Sequence, residues 1–128
     1  MTKLSDALDG FAPDTALVLG SGLGAVADAV QDAKSIPYGE LDNFPAGGVS
    51  GHAGKLVAGR LGKHNVAVLS GREHYYEHGN AAAMRGALEA LKESGVTRLI
   101  LTNSAGSLRK KVGPGSVMQI TDHINFSG

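Results

Sequence analysis

Gly71-Arg72-Glu73-His74-Tyr75-Tyr76-Glu77-His78 gathers one guanidinium, two imidazoles, two phenols and two carboxylates into eight consecutive residues. A planar guanidinium such as that of Arg72 offers paired donors that match phosphate or carboxylate oxygens. An imidazole such as that of His74 takes or gives a proton near neutral pH. Burying so many polar groups in a core is costly, which places the cluster at a ligand-facing edge or in solvent. The bland alternative is a solvated loop whose charges do no chemistry. His74-Tyr75-Tyr76-Glu77-His78 also fits H-x-x-E-H, in which two histidines on one helical face hold zinc and the glutamate acts as base. Its context opposes that reading. The motif directly follows an apolar run, Val66-Ala67-Val68-Leu69, and the next helical pattern begins only after Gly79-Asn80.

A second stretch with chemical potential is Gly20-Ser21-Gly22-Leu23-Gly24. Glycines let backbone amides approach an anion, and a following helix turns its free N–H groups and positive dipole end toward the same point. The spacing matches neither the dinucleotide fingerprint nor the Walker loop. Ser21 could equally serve only as a helix N-cap. His52, within Gly51-His52-Ala53-Gly54, reads either as a ligand-facing histidine on a flexible segment or as a surface histidine. Asn103-Ser104-Ala105-Gly106 leaves room for a ligand at a strand end, or is an ordinary turn. No G-x-S-x-G nucleophile elbow is present.

These stretches need elements to position them. Leu4, Ala7, Leu8 and Phe11 recur at helical spacing, and Pro13 ends that helix. Thr15–Leu19 reads as a buried strand running straight into the glycine loop. Leu23, Val26, Ala27 and Val30 then predict a helix, so strand, glycine loop and helix follow as in a βαβ unit. Residues 34–55 read as irregular. Leu56–Leu61 and Asn65–Leu69 predict a hairpin through Gly62-Lys63-His64. Asn80 is placed as an N-cap ahead of the stripe Met84, Leu88, Leu91, with Gly95 at the C′ position. Arg98–Asn103 and Val117–Ile120 predict two more strands. In open α/β sheets, ligands bind beyond the carboxyl ends of strands, which is where both the glycine loop and Arg72 fall.

Composition sets the outer bounds. The 128 residues suit one domain, 42% of them hydrophobic. Lysine and arginine number 12 against 12 acidic residues, so nucleic acid and anionic membranes are poor partners. There is no cysteine, hence no disulfide framework and no thiolate metal site. The N-terminus lacks the apolar stretch of a signal peptide, and no apolar run reaches membrane-spanning length. A cytoplasmic location fits these features.

Taken together and in order, five motifs carry a resemblance. They are Gly20-Ser21-Gly22-Leu23-Gly24, Gly51-His52-Ala53-Gly54, Gly71-Arg72-x-His74-x-Tyr76-Glu77, Thr102-Asn103-x-Ala105-Gly106 and Asp122-His123-Ile124-Asn125. The chain resembles purine nucleoside phosphorylase of the trimeric type from Thr15 to Gly128. The resemblance implies an α/β fold with a central mixed β-sheet flanked by helices. It implies phosphorolysis of purine ribonucleosides or deoxyribonucleosides to free purine and pentose 1-phosphate. By the same resemblance Ser21, Gly22, His52, Arg72, His74 and the backbone at Ser104 hold phosphate, and Tyr76 contacts ribose. His74 and Glu77 form the catalytic pair, with Glu77 orienting the phosphate site around His74. The chemistry agrees: a dianion beneath the sugar both attacks and stabilises an oxocarbenium-like state. Inorganic phosphate is the co-substrate, with no metal or organic cofactor, and a homotrimer is implied for the full-length family.

The chain also departs from the family. His78 precedes Gly79 where the family has glycine directly after Tyr-Glu, and Ser104 stands where alanine is usual. Gly106-Ser107-Leu108-Arg109 is similar to methylthioadenosine phosphorylase, a sister family, whereas Tyr76-Glu77 and Asp122-His123-Ile124-Asn125 favour the purine nucleoside branch. Family members are about twice this length, within the range of a single domain. Residues 1–128 are therefore expected to form a single domain corresponding to the N-terminal half of the enzyme, with no purine-binding residue in this chain. The competing class is a truncated, inactive fragment that at most binds phosphate.

Overall fold

Apolar and β-branched residues alternate with little interruption through Thr15–Leu19, and this run forms β1, the strand on which the sheet is built. The computed structural model describes residues 1–45 and 54–126. Five strands assemble in the order β2-β3-β4-β1-β5: β2 (Gln31–Pro37), β3 (Lys55–Leu61), β4 (His64–Ser70) and β5 (Arg98–Leu101) join β1. β1 runs parallel to both β4 and β5, whereas β2–β3 and β3–β4 are antiparallel. The sheet is thus mixed, as expected.

Strand alternation sorts side chains onto two faces. On one face Ala16, Val18, Ile36, Leu56, Ala58, Ala67 and Leu69 pack with Leu4, Leu8, Leu41, Phe44, Ala87 and Leu91. These last come largely from α1 (Leu4–Ala7), α4 (Arg85–Glu93) and the segment after β2. On the other face Leu19, Val57, Val66 and Val68 pack with Ala27 and Val30, around α2 (Ala25–Asp28). Each fully buried leucine or valine in these layers contributes about 1.5–3 kcal/mol relative to an exposed one.

Local chemistry explains several boundaries. The β3–β4 hairpin turns on Gly62-Lys63, with Gly62 at φ +60°, the first position of a type II′ turn. α4 ends in a Schellman motif. Gly95 sits at φ +97°, the Gly95 N–H donates to Lys92 O and the Val96 N–H donates to Leu91 O. Asn80 caps the turn before α4 rather than the helix itself, its Oδ1 accepting the Ala82 N–H at 3.0 Å. α1 is shorter than its periodicity predicts, because Asp9 and Gly10 adopt positive φ and end it.

Three further expectations are corrected. The helix expected over Leu23–Val30 is the single turn Ala25–Asp28, because Gln31–Pro37 is drawn into pairing with β3. That pairing also makes a strand where an irregular segment was expected. Gly59 in β3 permits it: a Cβ there would lie 2.5 Å from Gln31 O and 2.7 Å from Val30 Cγ1. Val117–Ile120 forms no strand; these residues are exposed and have no ladder partner among the described residues.

The two edges of the sheet differ. β2 carries a register shift between Gln31 and Lys34, a positive φ at Asp32 and an exposed Arg60–Asp32 ion pair at 2.9 Å. β5 is regular, and Leu99, Ile100 and Leu101 are 44%, 48% and 66% exposed. No helix among the described residues is long and apolar enough to cross a membrane.

Candidate anion-binding site

β4, β1 and β5 are neighbours and run in the same direction, so their carboxyl ends share one edge. The register pairs Leu19 with Ser70 and Val18 with Leu101. Three segments therefore leave the sheet side by side: the glycine loop after β1, the Arg72 cluster after β4 and Thr102 onward after β5. This is the edge where open α/β sheets bind ligands.

Gly20 to Leu23 forms a turn in which the Leu23 N–H donates to Gly20 O at 3.3 Å. Gly22 occupies it at φ +83°, as the third position of a type II turn requires. Gly20 has a different reason to be glycine. A Cβ there would lie 2.7 Å from both Asn103 Cα and Thr102 O, so the backbones after β1 and β5 are in direct contact. Ser21 and Gly22 are exposed at the tip. The turn is followed by one helical turn only, so the backbone amides of the loop carry any anion contact and a helix dipole contributes little.

Arg72 reaches toward the glycine loop. Its Nη1 donates to Thr102 O at 2.9 Å and its Nε donates to His74 Nε2 at 3.1 Å. Thr102 in turn holds the loop: its hydroxyl accepts the Gly20 N–H at 2.9 Å and donates to Val18 O at 2.9 Å. The guanidinium and the first loop amide are thus fastened to one residue.

A guanidinium has only donors, so His74 Nε2 must be an acceptor in this arrangement. The ring proton then sits on Nδ1, which lies 2.7 Å from Glu77 Oε1. The same Oε1 accepts the His74 backbone N–H at 3.2 Å. His74 immediately precedes the short helix α3 (Tyr75–His78), and Glu77 is its third residue. The pair forms half of a capping box, in which a glutamate reaches back to the residue that starts the helix. Local helix chemistry thereby fixes the histidine ring that meets Arg72.

Tyr38 supports the same region from the core. It is 3% exposed, its hydroxyl donates to Gly71 O at 2.8 Å, and its backbone N–H donates to Gly54 O. Burial raises the pKa of its hydroxyl well above the ordinary value, so it stays a donor to Gly71. A Cβ on Gly54 would lie 2.4 Å from the Tyr38 ring, which explains that glycine.

The structure brings Arg72, His74, Glu77 and the loop bearing Ser21 and Gly22 to one edge. Ser104 is exposed two residues beyond Thr102, its carbonyl accepting the Asn103 side-chain amide at 3.1 Å. His52 and the side chain of Tyr76 lie outside what is described. Sequence reasoning missed Thr102 as a contact; the motif Thr102-Asn103-x-Ala105-Gly106 contains it, but spacing gave it no role. The H-x-x-E-H stretch does carry a helical turn, earlier than expected. Its two histidines nevertheless turn to different carboxylates, His74 to Glu77 and His78 to Glu73 at 3.1 Å. Among the described residues no three His, Asp or Glu side chains are grouped to hold a metal ion.

Known proteins resemble this chain in sequence and in fold. The model of the Phosphorylase superfamily matches residues 14–128. Purine nucleoside phosphorylase 1 of Geobacillus stearothermophilus is 45% identical over 116 residues, covering 91% of this chain and 42% of that protein. A crystal structure of a purine nucleoside phosphorylase in complex with ribose 1-phosphate superposes with a TM-score of 0.73 at 35% identity, covering 87% of this chain and 42% of that one. The Schistosoma mansoni purine nucleoside phosphorylase in complex with inosine gives 0.71 at 33% identity, covering 87% and 40%. This chain therefore spans less than half the length of the relatives it matches. With a family model matched over all but its first residues and a sheet that superposes on solved members, the chain belongs to the phosphorylase superfamily.

Proposed function

We propose that this chain carries the phosphate site and part of the ribose site for phosphorolysis of purine nucleosides. The observation that carries the reading is the convergence of the glycine-loop backbone and the Arg72 guanidinium on Thr102 at one sheet edge. Arg72 Nη2 makes no hydrogen bond among the described residues, leaving it available to an anion. The relatives with ribose 1-phosphate or inosine bound support the substrate class.

In the proposed reaction a phosphate oxygen attacks C1′ of the pentose. The bond from C1′ to the purine nitrogen breaks, and its electron pair leaves with the base. The sugar passes through an oxocarbenium-like state that the phosphate dianion stabilises. Ser21, Gly22, His52, Arg72, His74 and the backbone at Ser104 are assigned to phosphate, and Tyr76 to ribose. Glu77 positions His74. The reading extends to a cytoplasmic homotrimer acting in purine salvage, with residues 1–128 forming one part of a larger catalytic unit. No purine contact is assigned within these residues; the property assigned to them is phosphate binding.

The test is calorimetric titration of the chain with inorganic phosphate, beside an assay for conversion of inosine to hypoxanthine. Arg72→Ala is expected to weaken phosphate binding by roughly 2 kcal/mol, about thirtyfold, the cost of a charge-assisted contact. Equal phosphate affinity in the parent chain and the Arg72→Ala variant would overturn the assignment of Arg72.

A further inference from the structure

We propose that the Thr102 hydroxyl is the positioning group that locks the glycine loop and Arg72 into one preformed anion cradle. The inference rests on the phosphate reading above and adds to it a residue that contacts no substrate. Thr102 stands one residue past the last paired residue of β5, Leu101 opposite Val18. At this point the ladder runs out and the Gly20 N–H has no strand carbonyl to meet. The hydroxyl replaces that partner, accepting from Gly20 at 2.9 Å while donating to Val18 O at 2.9 Å. The Thr102 N–H also donates to Val18 O, at 3.1 Å, so side chain and backbone grip the same carbonyl. With the residue anchored twice to β1, its own carbonyl is held where Arg72 Nη1 reaches it at 2.9 Å.

The close approach at Gly20 gives the lock its rigidity. No side chain fits between Gly20 and the Thr102–Asn103 backbone, so a shift of one strand end must move the other. A threonine that only finished a strand would need none of these contacts, since its hydroxyl could face water. Here one hydroxyl serves as both acceptor and donor between β1 and β5, and the attached carbonyl orients the cation. Preorganisation of this kind strengthens binding by removing the ordering cost from the binding step.

Thr102→Val keeps the branched shape and removes the hydroxyl, whereas Thr102→Ser keeps the hydroxyl and removes the methyl. The first readout needs no ligand: the Arg72 Nε–H resonance in a proton–nitrogen NMR spectrum. That proton bonds to His74 and not to Thr102, so it reports coupling rather than a lost contact. It is expected to be sharp and exchange-protected in the parent and in Thr102→Ser, and broadened or exchanging in Thr102→Val. The second readout is inorganic phosphate affinity, expected to fall about tenfold in Thr102→Val and to stay within about twofold of the parent in Thr102→Ser. An unchanged Arg72 Nε–H signal in Thr102→Val overturns the proposal, as does an equal loss of phosphate affinity in both variants. If the parent binds no phosphate, the functional reading fails, while the Arg72 signal still decides whether Thr102 locks the two groups.

Discussion

Glu77→Ala removes the group on which the orientation of His74, and through it Arg72, depends. The Glu77 side chain is 7% exposed and its Oε1 accepts both the His74 ring N–H at 2.7 Å and the His74 backbone N–H at 3.2 Å. A hydrogen bond to a charged acceptor contributes about 1.5–3 kcal/mol, and two donors left unpaired in a largely enclosed site add to the loss. Crediting the shorter bond fully and the longer one at half weight gives roughly 3 kcal/mol. For a domain of this size each kcal/mol moves the melting temperature by about 4 °C, so the variant should melt about 12 °C below the parent. Glu77→Gln retains an oxygen that can accept from both donors and should recover about half of the difference. The assay is thermal unfolding followed by far-UV circular dichroism, with urea unfolding to confirm that cooperativity is kept. A Glu77→Ala variant melting within about 2 °C of the parent would refute the reasoning, because surface changes without a partner fall within about 0.5 kcal/mol.

Gly20→Ala should destabilise the chain by about 1–3 kcal/mol, since its Cβ would lie 2.7 Å from Thr102 O and Asn103 Cα with only backbone to yield; urea unfolding reads this, and a neutral result would mean that the strand ends are not in contact. Asp14 contributes to the acid limb of stability. The Thr15 hydroxyl and then Arg98 at 2.8 Å hold its carboxyl below the ordinary value of 3.8. Its folded pKa is depressed, so its contribution is present above pH 3.8 and is lost as pH falls through the folded value. Asp14→Asn should therefore flatten the fall in urea midpoint between pH 5 and pH 2 while unfolding remains cooperative, whereas an acid limb as steep as the parent's would show that other carboxylates carry it.

Most of the sheet was legible because its strands are apolar on both faces. Thr15–Leu19 and Val66–Leu69 need no tertiary context to read as buried. The hairpin carried its own turn glycine and α4 its own C′ glycine. β2 was illegible because Gln31-Asp32-Ala33-Lys34-Ser35 has neither alternation nor β-branched residues; it is a strand only because β3 offers it hydrogen bonds. Val117–Ile120 failed in the opposite sense: a good local pattern with no partner among the described residues. At the site, strand-end position pointed to Arg72 and the glycine loop. Nothing in one dimension could show that the Thr102 hydroxyl meets an amide 82 positions away.

The unequal edges make the sheet a lopsided template. At β2 the irregular register and the charged Asp32 interrupt the row of free amides and carbonyls that a new strand would need. At β5 the row is regular and flanked by exposed Leu99, Ile100 and Leu101, so among the described residues this is the edge better suited to further pairing. A strand that docks there, whether from the same polypeptide or another, lies alongside the residue that leads into Thr102. Extension of the sheet at β5 therefore takes place on the side that also carries Thr102 and its contacts to Gly20 and Arg72.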